Sequence, residues 1–151
     1  MVLFVTLSVL GGLLYFSLDR IVLGAVDDSL LSKAQALTVL TNGDKEDRAE
    51  FISSSAFTWD YASPKAKSFY QIRRYDGFTL EKSVSLKASE LPYAGKTDRA
   101  TFRTIHVNSV PLRLVDFPVL AKRETTANGT QQGFIIQCAE DIQGQMDILE
   151  R

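Results

Sequence analysis

Three residue types are almost missing from this sequence of 151 residues, which holds one cysteine, Cys138, one histidine, His106, and one tryptophan, Trp59. A single cysteine excludes an internal disulfide framework and a zinc site built from several cysteines, and a single histidine excludes a histidine cluster for a metal. No glycine-rich phosphate loop of the Walker type is present. An excess of charge is also lacking, since Lys+Arg 17 stand against Asp+Glu 18 for a net charge of -1. The basic residues are scattered along the chain, which removes the electrostatic footprint of a nucleic-acid partner. With 45% hydrophobic residues the chain can build one core, and its length is too short for two ordinary domains.

Charge is absent altogether from Met1 to Leu18 (MVLFVTLSVLGGLLYFSL). A helix of this length sits at the lower end of what crosses about 30 Å of hydrocarbon, and it exceeds the roughly 7–15 residues of a signal-peptide core. No Lys or Arg precedes the run, and no small-x-small cleavage site closely follows it. The expectation is a transmembrane helix over 1–18, in a chain cut from a longer one inside or just before that helix. An extracytoplasmic domain is expected over 19–151.

From Leu18 to Leu40 the pattern is amphipathic. Leu23, Val26, Leu30, Leu37 and Leu40 share one stripe, which only Lys33 breaks, and which can pack on the domain's own sheet or on the same helix of a second copy. Asn42-Gly43 predicts a helix stop through a left-handed cap, and Asp44 a second, shorter helix to about Phe57. Strands follow Pro64. Ser68 to Tyr75 and Thr79 to Leu86 form a hairpin across Asp76-Gly77, with Leu80, Val84 and Leu86 expected inward and Glu81, Ser83 and Ser85 outward. Lys87 to Arg99 reads as a long polar loop with room for one helical turn, of the kind that carries binding surface. Phe102 to Val107 and Leu112 to Leu120 form a second hairpin across residues 108–111. Glu124 to Gln132 is a turn that contains the Asn128-Gly129-Thr130 triplet, and Gly133 to Ala139 is a last apolar strand. Glu140 to Arg151 is an exit helix with Ile142, Met146 and Leu149 on one side. Five strands joined in this way imply an antiparallel sheet with helices over at least one face, an α+β fold.

Candidate chemistry is thin. Cys138 and His106, with Asp116 or Asp141 as orienter, form the one conceivable nucleophilic set. Cys138 sits in an apolar strand as a small hydrophobe, and His106 falls on the polar alternation of its strand, so no catalytic residue is assigned. The adjacent carboxylates Asp27-Asp28 and Glu140-Asp141 read as residues of early helical turns, explained by capping and solvation.

Several segments together resemble the sensor module of membrane-bound bacterial histidine kinases, built on a PAS-like (PDC-type) fold. They are Val26 to Leu31 (VDDSLL) with Lys33 to Leu37 (KAQAL), Phe69-Tyr70-Gln71-Ile72 leading to Asp76-Gly77, Lys82 to Leu86 (KSVSL), Pro111 to Leu114 (PLRL) and Ile136 to Glu140 (IQCAE). The resemblance spans nearly the whole chain. It implies a five-stranded antiparallel sheet with a long N-terminal helix and an exit helix that continues to a second membrane helix, a HAMP-type linker and a kinase core. It also implies a bacterial inner-membrane protein whose domain faces the periplasm, taking a small-molecule or envelope signal. The regularity of the Leu23 to Leu40 stripe adds the expectation of a homodimer through the N-terminal helix. The Cys-x-x-Cys-His of haem sensors of similar plan is absent, and no cofactor is expected. A ligand pocket is expected between the sheet and the 87–99 loop, lined by some of Trp59, Tyr61, Tyr70, Arg73, Tyr93, Arg103 and Arg113. Aromatics would supply contact area there and arginines would clasp an anionic group. The alternatives are the ectodomain of a chemoreceptor and a pilin-like assembly subunit, although the apolar run lacks the Glu usual in pilins.

Overall fold

The computed structural model describes residues 2–43, 57, 61–63, 65–125 and 131–149. The short helix expected over Asp44 to Phe57 and the Asn128-Gly129-Thr130 triplet fall mainly outside them. The chain has no proline before Pro64, so nothing interrupts the first helix, α1, which runs unbroken over Val2–Leu37. At Thr38 the backbone N–H and the hydroxyl both turn back to the Gln35 carbonyl, at 3.2 and 2.6 Å. One further turn, α2 (Val39–Asn42), follows. The helix stops where Asn42-Gly43 predicts, but not by a left-handed cap. Gly43 is extended, with φ −74° and ψ 155°, and its N–H closes the last turn on the Val39 carbonyl.

The sheet comprises β1 (Ser68–Arg74), β2 (Thr79–Lys82), β3 (Thr101–Val107), β4 (Val110–Thr125) and β5 (Gln131–Asp141), in the order β2-β1-β5-β4-β3 and antiparallel throughout. A final helix, α3, covers Gln143–Leu149. This is the α+β plan expected from the sequence, with the long helix on one face. Val26, Leu30, Ala34 and Leu37, one face of α1 at spacings of four and three, are buried against Tyr70, Ile72, Val115, Val119, Ile136 and Cys138. Leu23 packs at the edge of the same core. Each fully buried leucine here contributes roughly 1.5–3 kcal/mol. The leucine stripe is thus engaged by the domain's own sheet. Below it, the large apolar side chains of Phe4 to Ile21 lie exposed, as a surface meant for lipid would, and the helix is long and apolar enough to cross a membrane.

Several boundaries differ from the sequence reading. The second strand ends at Lys82, and Val84–Leu86 is a 3-10 turn. Ile72 pairs with Glu81 and Arg73 with Thr79, so Leu80 is the extra residue of a bulge and points outward. Val84 is exposed as well, whereas Ser83 and Ser85 are buried. The serines go inward because they satisfy backbone: Ser83 Oγ accepts the Tyr70 N–H at 3.1 Å, and Ser85 Oγ donates to the Ser68 carbonyl at 2.8 Å. The β3–β4 hairpin is tighter than expected. Val107 pairs with Val110, and only Asn108 and Ser109 turn, at φ 51° and 67°, both left-handed as a mirror-type hairpin turn requires. Pro118 is tolerated in β4 because β3 pairing ends at Asp116. Glu140 and Asp141 end β5 and do not open the exit helix; Asp141 Oδ1 accepts the Gln143 N–H at 2.8 Å, and Glu140 meets Lys33 at 3.5 Å.

Candidate functional site

Opposite α1, the other sheet face is crossed by the segment from Lys87 to Ala100, which contains no helical turn. Leu91 anchors this strap. It is fully buried in a small second core with Leu86, Leu112, Leu114 and Ala139. Next to this core the strands send polar side chains upward to grip the strap backbone. From β1, Gln71 accepts the Leu91 N–H at 2.7 Å, and Arg73 donates to the Leu91 carbonyl at 2.7 Å and to Glu90 at 3.2 Å. From β5, Gln137 donates to the Pro92 carbonyl at 3.1 Å and accepts from Arg73 Nε at 3.2 Å. From β4, the Asp116 carboxylate receives Gln137 Nε2 at 2.8 Å and Arg103 Nε of β3 at 2.8 Å. Arg103 also reaches the Pro92 carbonyl. Arg73 lies under the Tyr93 ring at 5.7 Å, and Tyr93 donates its hydroxyl to the Tyr75 carbonyl at 2.7 Å.

Three strands, β1, β5 and β3, therefore converge on Leu91 and Pro92, and Asp116 of β4 holds Gln137 and Arg103 in place beneath them. Burying a carboxylate such as Asp116 is costly unless it is paired, and here a guanidinium and an amide pair it. Broken at one member, the network leaves a neighbouring buried polar group short of a partner, at a cost of about 1–3 kcal/mol.

Of the residues expected to line a pocket, Arg73, Tyr93 and Arg103 meet at this site. Tyr61 and Tyr70 lie on the helix-covered face, where their rings stack edge to face at 5.0 Å beside Phe57, and Tyr70 donates to Glu81 at 2.8 Å. Trp59 is outside the described residues. Arg113 also faces α1, and clasps Asp27 with Nε to Oδ1 at 2.7 Å and Nη2 to Oδ2 at 2.8 Å. These hydrogen bonds push the Arg113 pKa above its ordinary value, against the opposing effect of partial burial. Asp27 is thus a bonded partner, not merely a solvated residue of an early turn. Lys33, six residues further along α1, reaches Ser68 at 3.2 Å and Glu140 at 3.5 Å. Two polar clamps therefore tie α1 to the sheet. Gln71 and Gln137 escaped sequence reasoning; the available signal was an amide inside an otherwise apolar strand, Gln137 in Gly133 to Ala139.

Cys138 and His106 do not form a reactive pair. Cys138 pairs with Val115 and His106 with Pro111, four positions apart along β4, or about 13 Å. The Cys138 thiol is buried and pushed up to about 12 by desolvation, so it is inert as a nucleophile at neutral pH.

A family model described as the two-component sensor kinase N-terminal region matches residues 3–151. Comparison with curated proteins finds no match, and comparison with solved structures finds none either. The match favours neither the pilin-like nor the chemoreceptor alternative. A membrane-length apolar helix leading into a helix-backed five-stranded sheet agrees with it. The chain belongs to the two-component sensor kinase N-terminal family and is the membrane-associated sensor domain of a two-component histidine kinase.

Proposed function

We propose that the strap over the Arg73–Gln137–Asp116–Arg103 network is the signal-receiving element, and that its release or exchange is what the domain reports. The observation that carries this reading is that each arginine directs one terminal donor, Nη2, to a carbonyl of the strap, Arg73 to Leu91 and Arg103 to Pro92. A ligand with an anionic group would compete for these two donors with charge-assisted hydrogen bonds where the strap offers neutral carbonyl oxygens. The domain faces the periplasm of a bacterial inner membrane, in a PDC-type variant of the PAS-like plan. A change on the strap face would alter β4 and β5, which carry the contacts to α1 through Arg113 and Glu140. β5 runs directly into α3. These two helices are the mechanical output toward a cytoplasmic kinase core, each binding event biasing a two-state arrangement. A homodimer fits such an output. With the leucine stripe occupied, its contact falls to the opposite side of α1, where Asp28, Ser29, Ser32 and Ala36 are exposed.

The test uses the intact parent kinase in membrane vesicles. Arg73→Gln with Arg103→Gln is expected to speed exchange of the Leu91 amide and to shift basal autophosphorylation, while Lys96→Gln leaves both unchanged. Faster exchange with unaltered phosphorylation would remove the strap from the signalling path.

A further inference from the structure

A cavity of about 340 Å³ opens on the strap face at the end of the sheet away from the strap network. Its floor is apolar, formed by Phe69, Leu86 and Leu112, and three lysines stand on its lining, Lys65, Lys67 and Lys87. All three are exposed, and none is paired with a carboxylate among the described residues. Asp141, the one acid of the lining, already caps the Gln143 N–H. The backbone fixes the lysines from both sides. The Lys67 carbonyl accepts the Asp141 N–H at 3.0 Å, and Lys87 takes a left-handed conformation at φ 53° after the 3-10 turn.

The position of this cavity relative to the membrane follows from the contacts between helix and sheet. α1 and β4 run in the same direction, with Arg113 beside Asp27 and the Leu120 carbonyl beside Asn42. Asp27 lies nine residues past Leu18, about 14 Å up the helix at ~1.5 Å per residue. Val110 lies three residues before Arg113, about 10 Å down the strand at ~3.4 Å per residue. The Val110 end of the sheet therefore stands within about 4 Å of the level at which the uncharged run ends. A headgroup layer is about 5–7 Å deep on each side of the hydrocarbon. Lys67 lies opposite Asp141, level with Leu112 and about 10 Å above the end of the uncharged run, and its long flexible stem lets the ammonium reach down toward the lipid phosphates.

We infer that this cavity seats the phosphate of an anionic phospholipid from the adjoining leaflet, with the lysines around the phosphate and the apolar floor under the glycerol and first acyl carbons. The inference rests on α1 spanning the bilayer and is independent of the strap reading and of which side of the membrane the domain faces. Basic residues at a membrane surface each raise anionic-lipid affinity about fivefold at moderate salt, an effect that high salt screens.

The experiment places the whole chain in nanodiscs of phosphatidylcholine containing a photoreactive phosphatidylglycerol, with cross-links mapped by mass spectrometry. Cross-links are expected on the segments around Lys65–Lys67 and Lys87. Yield should fall roughly fivefold for each of Lys65→Gln, Lys67→Gln and Lys87→Gln, and stay unchanged in Lys96→Gln, at the far end of the strap. Equal labelling by a photoreactive phosphatidylcholine, or insensitivity to the lysine substitutions, overturns the inference. Saturable binding of inorganic phosphate to the same lysines in detergent, with no preference among lipids, also overturns it and assigns a soluble anion instead.

Discussion

Removing the Arg113 guanidinium tests how firmly the membrane helix is coupled to the sheet. Arg113→Met keeps the aliphatic stem and leaves Asp27 without its two donors, at 2.7 and 2.8 Å. The pair is neither open nor deeply buried, with side chains 17% and 21% exposed. Coulomb attraction at about 4 Å and an effective dielectric of about 20 is worth ~4 kcal/mol before desolvation and lost side-chain freedom are subtracted. Exposed pairs net about 0–1 kcal/mol, and breaking a fully buried one costs about 3–5 kcal/mol. Between these limits, a bidentate, four-fifths-buried pair should couple by about 2 kcal/mol, close to a thirtyfold change in equilibrium constant. The assay is a double-mutant cycle of Arg113→Met, Asp27→Asn and the double variant, followed by urea unfolding of the detergent-solubilised chain. Each single variant should be destabilised and the double variant should recover most of the loss. A coupling energy under about 0.5 kcal/mol would refute the clamp.

Other substitutions probe the site and the core separately. Gly133→Ala would drive a methyl group into the Tyr75 ring, so a loss of about 1–3 kcal/mol is expected in thermal unfolding, with Tyr75→Ala relieving it. Gln71→Met leaves the Leu91 N–H buried without an acceptor; about 1–3 kcal/mol should be lost, and Leu91 amide exchange should accelerate ahead of the core strands. The Cys138 thiol titrates near pH 9 when unfolded and at about 12 when folded. Its folded pKa is raised, so stability is unaffected below pH 9 and falls by about 1.4 kcal/mol per pH unit between pH 9 and 12. Urea midpoints of Cys138→Ala should lack that part of the slope, and a thiol reagent at neutral pH should leave the folded wild type unmodified.

The sequence made some features readable because they depend on local chemistry. The uncharged first 18 residues, the Asp76-Gly77 turn and the three-and-four spacing of Val26, Leu30 and Leu37 each carry their own cause. Features that depend on a partner distant in the chain were not readable. Leu80 looks like an inward strand residue until the bulge opposite Ile72 and Arg73 turns it out. Ser83 and Ser85 look polar and external until their hydroxyls meet the backbone of β1. Arg113 resembles the anion-binding candidates by residue type, and its position on the helix-facing side follows from strand register alone. The strap network was hidden for the same reason, because Gln71, Asp116 and Gln137 lie far apart in sequence and meet only across three strands.

An extracytoplasmic sensor must stand on the outer side of the inner membrane. Cys138 is buried, so a cysteine introduced at exposed Asp98, on the strap and remote from the membrane end, is the only thiol expected to react in the folded chain. Whole cells expressing the intact kinase with Asp98→Cys, and with any cysteine outside this chain replaced by serine, are treated with a membrane-impermeant maleimide. Labelling in intact cells as complete as after lysis is the predicted result. Labelling that appears only after lysis would contradict an extracytoplasmic sensor.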